Sequence, residues 1–445
     1  MALIEPRTLK GFRDYLPEQM IPRERLVETA RKVYRSYGFL PIDTPALEYE
    51  EILTGKGGEE SDKQLYAFED HGGRRVALRF DLTVPLARFV AQHSNELGMP
   101  FKRYHIASVW RGENTQRGRY REFMQCDFDT IGVEHLAADI EVGFVIHDLL
   151  RAIGFDDFRI RVNNRKLLTG VLERLELAGK LVPVLRAIDK LDKIGPDKVA
   201  EEIVREAGTT ADQARRVLAF ASLRESLGAG ATDDALLEAL RPHVQGSERA
   251  EAGLAELATL VATTRSAGIA AERLSIDLSI ARGLDYYTGT VYETVLGALP
   301  GIGSVCSGGR YDNLAQLYTK ERLPGIGASL GLDRLLAAME ELGLVEKRRS
   351  SAPIFVPFFD AGRLPDYLAL CRRLRAAGFG VEFYPEPKKL GAQLKYADRR
   401  GFRVALVLGD EEWKNGAVQV KELATQTSRV VPLAELEREL GTFRE

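Results

Sequence analysis

Apolar positions change period several times along the chain. Between residues 22 and 37, Leu26, Ala30, Val33, Tyr34 and Tyr37 recur at helical spacing, with Pro22 able to open a helix and Gly38 able to close it. An extended segment, Phe39 to Ile42, follows, and strand-like pieces such as Arg75 to Arg79 and Arg103 to Trp110 then alternate with turn residues up to about Gly132. Between Lys166 and Ala270 the pattern turns helical. Phe220 is the only aromatic there, and repeats such as Leu167-x-x-x-Val171-x-x-x-Leu175 sit among Ala, Leu, Glu and Arg. Strand-like sequence returns at Leu274 to Leu278 and Thr290 to Val295, becomes glycine-rich from Gly301 to Gly309, and leads to a helix from about Leu332.

This order predicts one domain made of residues 1–165 and 271–345, interrupted by a helical insertion over 166–270. The charged stretch from Glu346 to Ser351 reads as a linker. Beyond it, apolar runs Ile354 to Phe359, Val381 to Tyr384 and Val404 to Leu408 alternate with helical segments ending at Gly378 and Gly401. That alternation predicts a small α/β domain over 352–445.

Composition adds limits. With 445 residues, 45% hydrophobic and 29% charged, the chain is a folded protein with more than one core. Lys plus Arg (62) nearly balance Asp plus Glu (65), so a polyanion partner would have to be held by local basic patches. Cys126, Cys306 and Cys371 are far apart and form no C-x-x-C pair, which argues against a disulfide framework and a cysteine zinc site. The N-terminus has no apolar signal region and no stretch is long enough to span a membrane, so a cytoplasmic location is expected.

Four segments could carry chemistry. Lys102 to Arg121 holds six basic residues against one acid, Glu113, with the turn formers Gly112 to Gly118 between two strand-like stretches. A hairpin presenting arginines to a polyphosphate fits, and so does a solvated charged loop. Ala281 to Gly289 places Arg282, Tyr286 and Tyr287 between apolar strands, as a pocket wall or as ordinary aromatic packing. Cys306 to Asp312 offers glycines for close backbone approach, or a simple turn. Gly325 to Arg334 is a small-residue strand running into a helix whose first turn carries Arg334, either an anion contact or a surface arginine. The six histidines form no i, i+4 pair, and neither G-x-S-x-G nor a P-loop is present. Arginine-based polyphosphate handling without a P-loop remains.

In this order the segments resemble class II aminoacyl-tRNA synthetases and, among them, the histidyl-tRNA synthetase family. Lys10 to Pro17 is similar to that family's N-terminal signature; Tyr37 to Phe39 with Thr44 to Glu48 is similar to class motif 1. Residues 111–125 resemble motif 2, Gly325 to Arg334 motif 3, and Arg282 to Tyr287 and Gly308 to Asp312 the blocks peculiar to the histidine enzymes. The resemblance implies an α/β (α+β) chain: an antiparallel-sheet catalytic domain with a helical insertion, then an α/β anticodon-binding domain.

It also implies roles. Arg111 and Arg282 would be catalytic, holding the ATP α-phosphate and the histidine carboxylate, with Arg282 in the position where the family uses arginine in place of a metal ion. Glu113, Arg119, Phe123 and Arg334 would complete the ATP site, with Mg2+ carried on the phosphates and no protein-held metal. Histidine would meet Asp81, Thr83 and Gln125 at its ammonium, and Asp129 and Tyr287, with Tyr286 and Tyr311 nearby, at its imidazole; Leu82, between Asp81 and Thr83, is also expected in the histidine site. Here the chain departs from the family pattern, with Phe80 Asp81 Leu82 in place of Pro-Glu-Gly, a shorter carboxylate. Histidine transfer RNA would contact Gln116 and Arg117 and, on a basic stretch from Lys388 to Arg403, Lys388, Lys389, Lys395 and Arg399. A homodimer is expected. The competing reading is a catalytically silent paralogue that regulates the phosphoribosyltransferase of histidine biosynthesis.

Overall fold

The computed structural model describes residues 3–55, 62–188, 190–228, 230–280, 286–345 and 349–444, without the side chains of 192 and 193. Arg282 lies outside the described residues, as do 346–348 of the expected linker. The chain divides into two compact units, Met1–Arg13 with Leu26–Leu342, and Asp14–Arg25 with Gly343–Glu445. No helix among the described residues is long and apolar enough to cross a membrane.

The first unit is built on strands β1 (Leu40–Pro41), β2 (Leu47–Tyr49), β3 (Ala67–Glu69), β4 (Arg75–Leu78), β5 (Phe101–Trp110), β6 (Glu122–Ile131), β7 (Phe158–Asn164), β8 (Leu274–Ile276), β9 (Thr290–Leu296), β10 (Cys306–Tyr311) and β11 (Gly325–Gly331). Eight of them form one sheet in the order β1-β5-β6-β11-β10-β9-β7-β8, and β2-β4-β3 form a small second sheet. Pairing in the large sheet is antiparallel except at its two ends, β1 with β5 and β7 with β8. The helices used below are α1 (Pro17–Ser36), α2 (Thr83–His93), α3 (Ala137–Ile153), α4 (Arg165–Arg174), α5 (Asp233–Val244), α6 (Glu248–Ser266), α7 (Leu332–Glu341), α8 (Leu364–Ala376) and α9 (Leu390–Arg400).

Strand alternation assigns the two faces of the large sheet. On one face the register lines up Tyr104, Phe128, Ala328, Gly308 and Tyr292 across five strands. Tyr34 of α1 covers them, its ring 5.0 Å from Phe128 and 5.7 Å from Tyr104, while its hydroxyl donates to the Cys126 carbonyl at 2.9 Å. Tyr292 donates to the Asp139 carbonyl of α3 at 2.8 Å. With this face closed by helices, the opposite face is left for chemistry.

Two local expectations change. α1 begins at Pro17, five residues ahead of the proline expected to open it, and Pro22 lies inside the helix. The missing N–H of Pro22 forfeits one intrahelical bond, a loss the rest of the helix absorbs. Residues 306–311 are a central strand and not a turn. Their glycines serve strand-to-strand contact, since a Cβ on Gly308 would lie 2.1 Å from the Gly327 carbonyl oxygen.

Helices follow one another from 165 to 266, within the same compact unit as the large sheet. α4 packs on α6 through glycine, where a Cβ on Gly253 would lie 2.4 Å from the Leu167 nitrogen. Buried Asp233, at the start of α5, accepts from Arg224, from Arg265 at 2.5 Å and from the Ile276 N–H of β8 at 3.1 Å. One carboxylate thus joins the helices to the sheet edge.

The second unit holds a five-stranded sheet, order β13-β12-β14-β15-β16, from β12 (Ile354–Val356), β13 (Val381–Phe383), β14 (Val404–Val407), β15 (Ala417–Glu422) and β16 (Ser428–Pro432). The first three strands are parallel, with α8 and α9 as crossovers, as the alternation predicts. β15 and β16 add an antiparallel edge that the sequence reading did not identify; β16 buries only Val431.

Candidate active site

The open face of the large sheet is a grid of side chains fixed by register. One row runs Arg103, Asp129, Gly327, Gly309 across β5, β6, β11 and β10; the next runs His105, Asp127, Ser329, Ser307; a third begins Ala107, Gln125, Gly331. Gln125, Asp127 and Asp129 alternate along β6, so all three point to this face. The glycines make room for them: a Cβ on Gly327 would lie 2.2 Å from Asp129 Oδ1, and one on Gly325 would lie 2.3 Å from the Tyr311 ring.

Burial makes these charges interact strongly. Arg103 is fully buried and pairs with Asp129 Oδ2 at 2.6 Å, while its Nη2 also reaches the Leu82 carbonyl at 3.3 Å. The Tyr311 hydroxyl donates to the other Asp129 oxygen. Burial raises Asp129 above the usual carboxylate range, against the pull of Arg103. Burial, opposed by Arg103 and reinforced by Asp129, pushes Asp127 up to about 7.

A second set comes from the turn into α2. Buried Asp81 accepts from the Val84 N–H at 3.0 Å, in the first helical turn, and from the Tyr286 hydroxyl at 3.4 Å. Leu82 is fully buried and Thr83 bonds to Tyr286. Arg111, just beyond β5, donates to the Phe80 carbonyl at 3.0 Å, and its guanidinium lies 4.2 Å from the Phe80 ring centre and 5.1 Å from that of Phe123. Burial lowers Arg111, with Asp81 and Glu113 opposing, and burial raises Asp81, with Arg111 opposing. Tyr286 packs edge-to-face on Tyr287 and Tyr311, at 5.1 and 5.9 Å between ring centres. The hydroxyls of Tyr286 and Tyr311 reach the two carboxylates Asp81 and Asp129.

Residues 111–121 close into a loop through paired backbone bonds: Arg111 with Arg121, then Gln116 with Arg119. Glu113 lies 3.8 Å from Arg119. Gly118 lets the loop approach α7, since a Cβ there would be 3.2 Å from the Arg334 Cα. Arg334 in turn donates to the Ser304 carbonyl at 2.5 Å. Gln116 is exposed, whereas Arg117 is paired with Glu341 at 2.7 Å. Lys388, Lys389, Lys395 and Arg399 all belong to the second unit and are exposed; Lys388 is paired with Glu386 at 2.8 Å.

Every expected histidine or ATP residue among the described ones thus lies on the open face, in the turn into α2, or in the loop and helix start beside them. Sequence reasoning missed Asp127 and Ser329 and treated Arg103 only as part of a basic run. The signal was available in Gln125-x-Asp127-x-Asp129, where three polar residues at a spacing of two in a strand must share a face. Arg310, the neighbour of Tyr311 in β10, turns to the other face and pairs there with Asp139.

Comparison with known proteins gives the arrangement a family. The family described as Histidyl-tRNA synthetase matches residues 11–335, and one described as Anticodon binding domain matches 359–442. A relative from Rhodopirellula baltica named Histidine--tRNA ligase is 62% identical over 96% of both chains, and one of the same name from Wolinella succinogenes is 48% identical over 95% of both. The crystal structure of a histidyl-tRNA synthetase from Nostoc superposes with a TM-score of 0.88 at 36% identity, covering 99% of this chain and all of that one. The resemblance of the short blocks therefore extends along the whole length, and the chain belongs to the histidyl-tRNA synthetase family.

Proposed function

We propose that the chain activates L-histidine with ATP and transfers it to the 3′ end of histidine transfer RNA. In the first step a histidine carboxylate oxygen attacks the α-phosphorus; the bond to the bridging oxygen breaks and pyrophosphate leaves. In the second, the terminal ribose hydroxyl attacks the acyl carbon and AMP leaves. Neither step needs a covalent protein nucleophile. The protein must align two anions and stabilise the charge that builds between them.

The observation that supports this best is the gathering of buried carboxylates and guanidiniums at one sheet face, with Asp129 paired to Arg103 and the Asp81 charge acting on Arg111. Arg111, clamped between Phe80 and Phe123, offers its outer nitrogens to the α-phosphate and substrate carboxylate. Asp81, Thr83 and Gln125 take the α-ammonium; Asp129 with Tyr286, Tyr287 and Tyr311 takes the imidazole. A site that hydrogen-bonds both imidazole nitrogens rejects side chains that leave its groups unpaired. Arg282 is assigned to the α-phosphate by family resemblance alone. Phe123 stacks on the adenine, and Glu113, Arg119 and Arg334 surround the base and outer phosphates.

Magnesium belongs with the β- and γ-phosphates. Among the described residues no three His, Cys, Asp or Glu side chains converge to hold a metal ion. The pocket carboxylates are instead occupied by Arg103, Tyr311, Tyr286 and Ser329. The ion would arrive with ATP on those phosphates. A cytoplasmic homodimer is the expected form.

The regulatory alternative is not favoured, because the near-full-length relatives are named as ligases and the second unit matches an anticodon-binding domain. Charging of bulk transfer RNA with labelled histidine tests the proposal. Accumulation of histidyl-RNA supports it, and a folded protein that charges no RNA contradicts it.

A further inference from the structure

The second row of the grid contains a hydrogen-bond relay that the family resemblance does not assign. Gln125 Nε2 donates to Ser329 Oγ at 2.9 Å, and Ser329 donates its single proton to Asp127. The serine proton fixes the direction of the relay. Because it goes to the carboxylate, the serine oxygen must accept from the glutamine amide, which leaves Gln125 Oε1 as an acceptor.

Among the described residues neither Gln125 Oε1 nor Asp127 Oδ1 has a hydrogen-bond partner, and both atoms are buried, in residues 8% and 2% exposed. Buried acceptors without donors are costly, and two on neighbouring positions of one strand face fit a ligand with more than one N–H. Charge points the same way. Asp127 and Asp129 share one guanidinium, Arg103, which is paired with Asp129 at 2.6 Å. Among the described residues no guanidinium forms an ion pair with Asp127, so a substrate cation would favour its ionised form.

We infer that Asp127, oriented by Ser329, is a further histidine-binding residue that accepts from the substrate's α-ammonium together with Gln125. Asp127 is thus a direct contact and Ser329 a positioning residue. This rests on the reading of the face as the histidine site and adds a second carboxylate to the ammonium subsite beside Asp81. It also explains how the shorter Asp81 suffices, because the ammonium is held from two sides.

Calorimetric binding tests it without turnover, using two histidine analogues. Histidinol keeps the ammonium and imidazole but has no carboxylate; imidazolepropionate keeps the imidazole and carboxylate but has no ammonium. Asp127→Asn is expected to weaken histidinol roughly 10- to 100-fold, the worth of one charge-assisted hydrogen bond, and to leave imidazolepropionate within about twofold. Ser329→Ala, a smaller change on the neighbouring strand opposite Asp127, should weaken histidinol several-fold with the same selectivity. Equal loss for both analogues would mean that Asp127 only supports the fold, and no loss for either would remove it from the site; each overturns the inference. A parental chain that binds histidinol in this pattern but shows no histidine-dependent turnover would refute the catalytic reading alone.

Discussion

At the residue scale, the open face holds two buried titrating groups that oppose each other. His105 donates from Nε2 to Asp43 at 2.9 Å; burial, Arg103 and Arg79 lower it to about 4. Between about pH 4 and 6.5 the unfolded chain binds a proton at this position that the folded chain does not, so His105 makes stability rise with pH. Asp127, raised to about 7, works in the other direction. Between about pH 4 and 7 the folded chain holds a proton that the unfolded chain has released, so stability falls as pH rises. The two slopes, each at most about 1.4 kcal/mol per pH unit, should largely cancel below pH 6.5. Denaturant unfolding across pH 4.5–7 should therefore show a positive slope in Asp127→Asn relative to the parent and a negative one in His105→Gln. Parallel curves for all three would mean that neither group carries the shift. Arg103→Met is expected to be more severe, because it leaves Asp129 buried with its charge uncompensated, at a cost of about 3–5 kcal/mol.

At the element scale, the site depends on strands without side chains where the chemistry needs room. Gly327→Ala puts a Cβ 2.2 Å from Asp129 Oδ1 and 2.4 Å from the Phe128 carbonyl oxygen, so the pocket carboxylate and the adjoining strand must both shift. The expected result is a protein that still folds but whose histidine KM rises by an order of magnitude or more, with a smaller change for ATP. Equal effects on both substrates would place the damage in the sheet rather than in the pocket. The same strands show what the sequence could reveal. β5, β6, β9 and β11 were legible from alternation and turn residues, and α4, α7, α8 and α9 from apolar spacing. β10 was not: a strand reading Cys-Ser-Gly-Gly-Arg-Tyr has no periodicity, and its glycines resemble a turn until a neighbouring strand is known to lie against them. β15 and β16 escaped because an exposed edge strand needs few apolar residues. The pocket residues Asp81, Arg111, Gln125 and Asp129 came from resemblance; Asp127 is legible in its spacing of two from Gln125 and Asp129, whereas Arg103 required the register, which sets it opposite Asp129.

At the scale of the whole molecule, the near-neutral charge conceals two basic stretches that turn out to be different. In 102–121, Arg103 and Arg111 point inward, Lys102 pairs with Glu141, Arg117 with Glu341 and Arg119 with Glu113. Two of that run's basic residues face inward and three are held in ion pairs. In 388–403, Lys389, Lys395 and Arg399 are exposed on and just before α9, the arrangement expected of a phosphate-binding surface. Lys388→Ala with Arg399→Ala should lower transfer RNA charging at limiting RNA and reduce the salt slope of RNA binding by about 1 to 2, with amino-acid activation unchanged. Loss of activation in parallel would argue against an RNA role for this surface.

The central claim, that the open face of the large sheet selects histidine and activates it with ATP, meets its most direct test in ATP–pyrophosphate exchange with each standard amino acid in turn. Exchange that requires histidine, occurs with no other amino acid and falls on the order of 100-fold in Arg111→Ala is the predicted result. A folded protein with no histidine-dependent exchange, or one that responds equally to another amino acid, would contradict it.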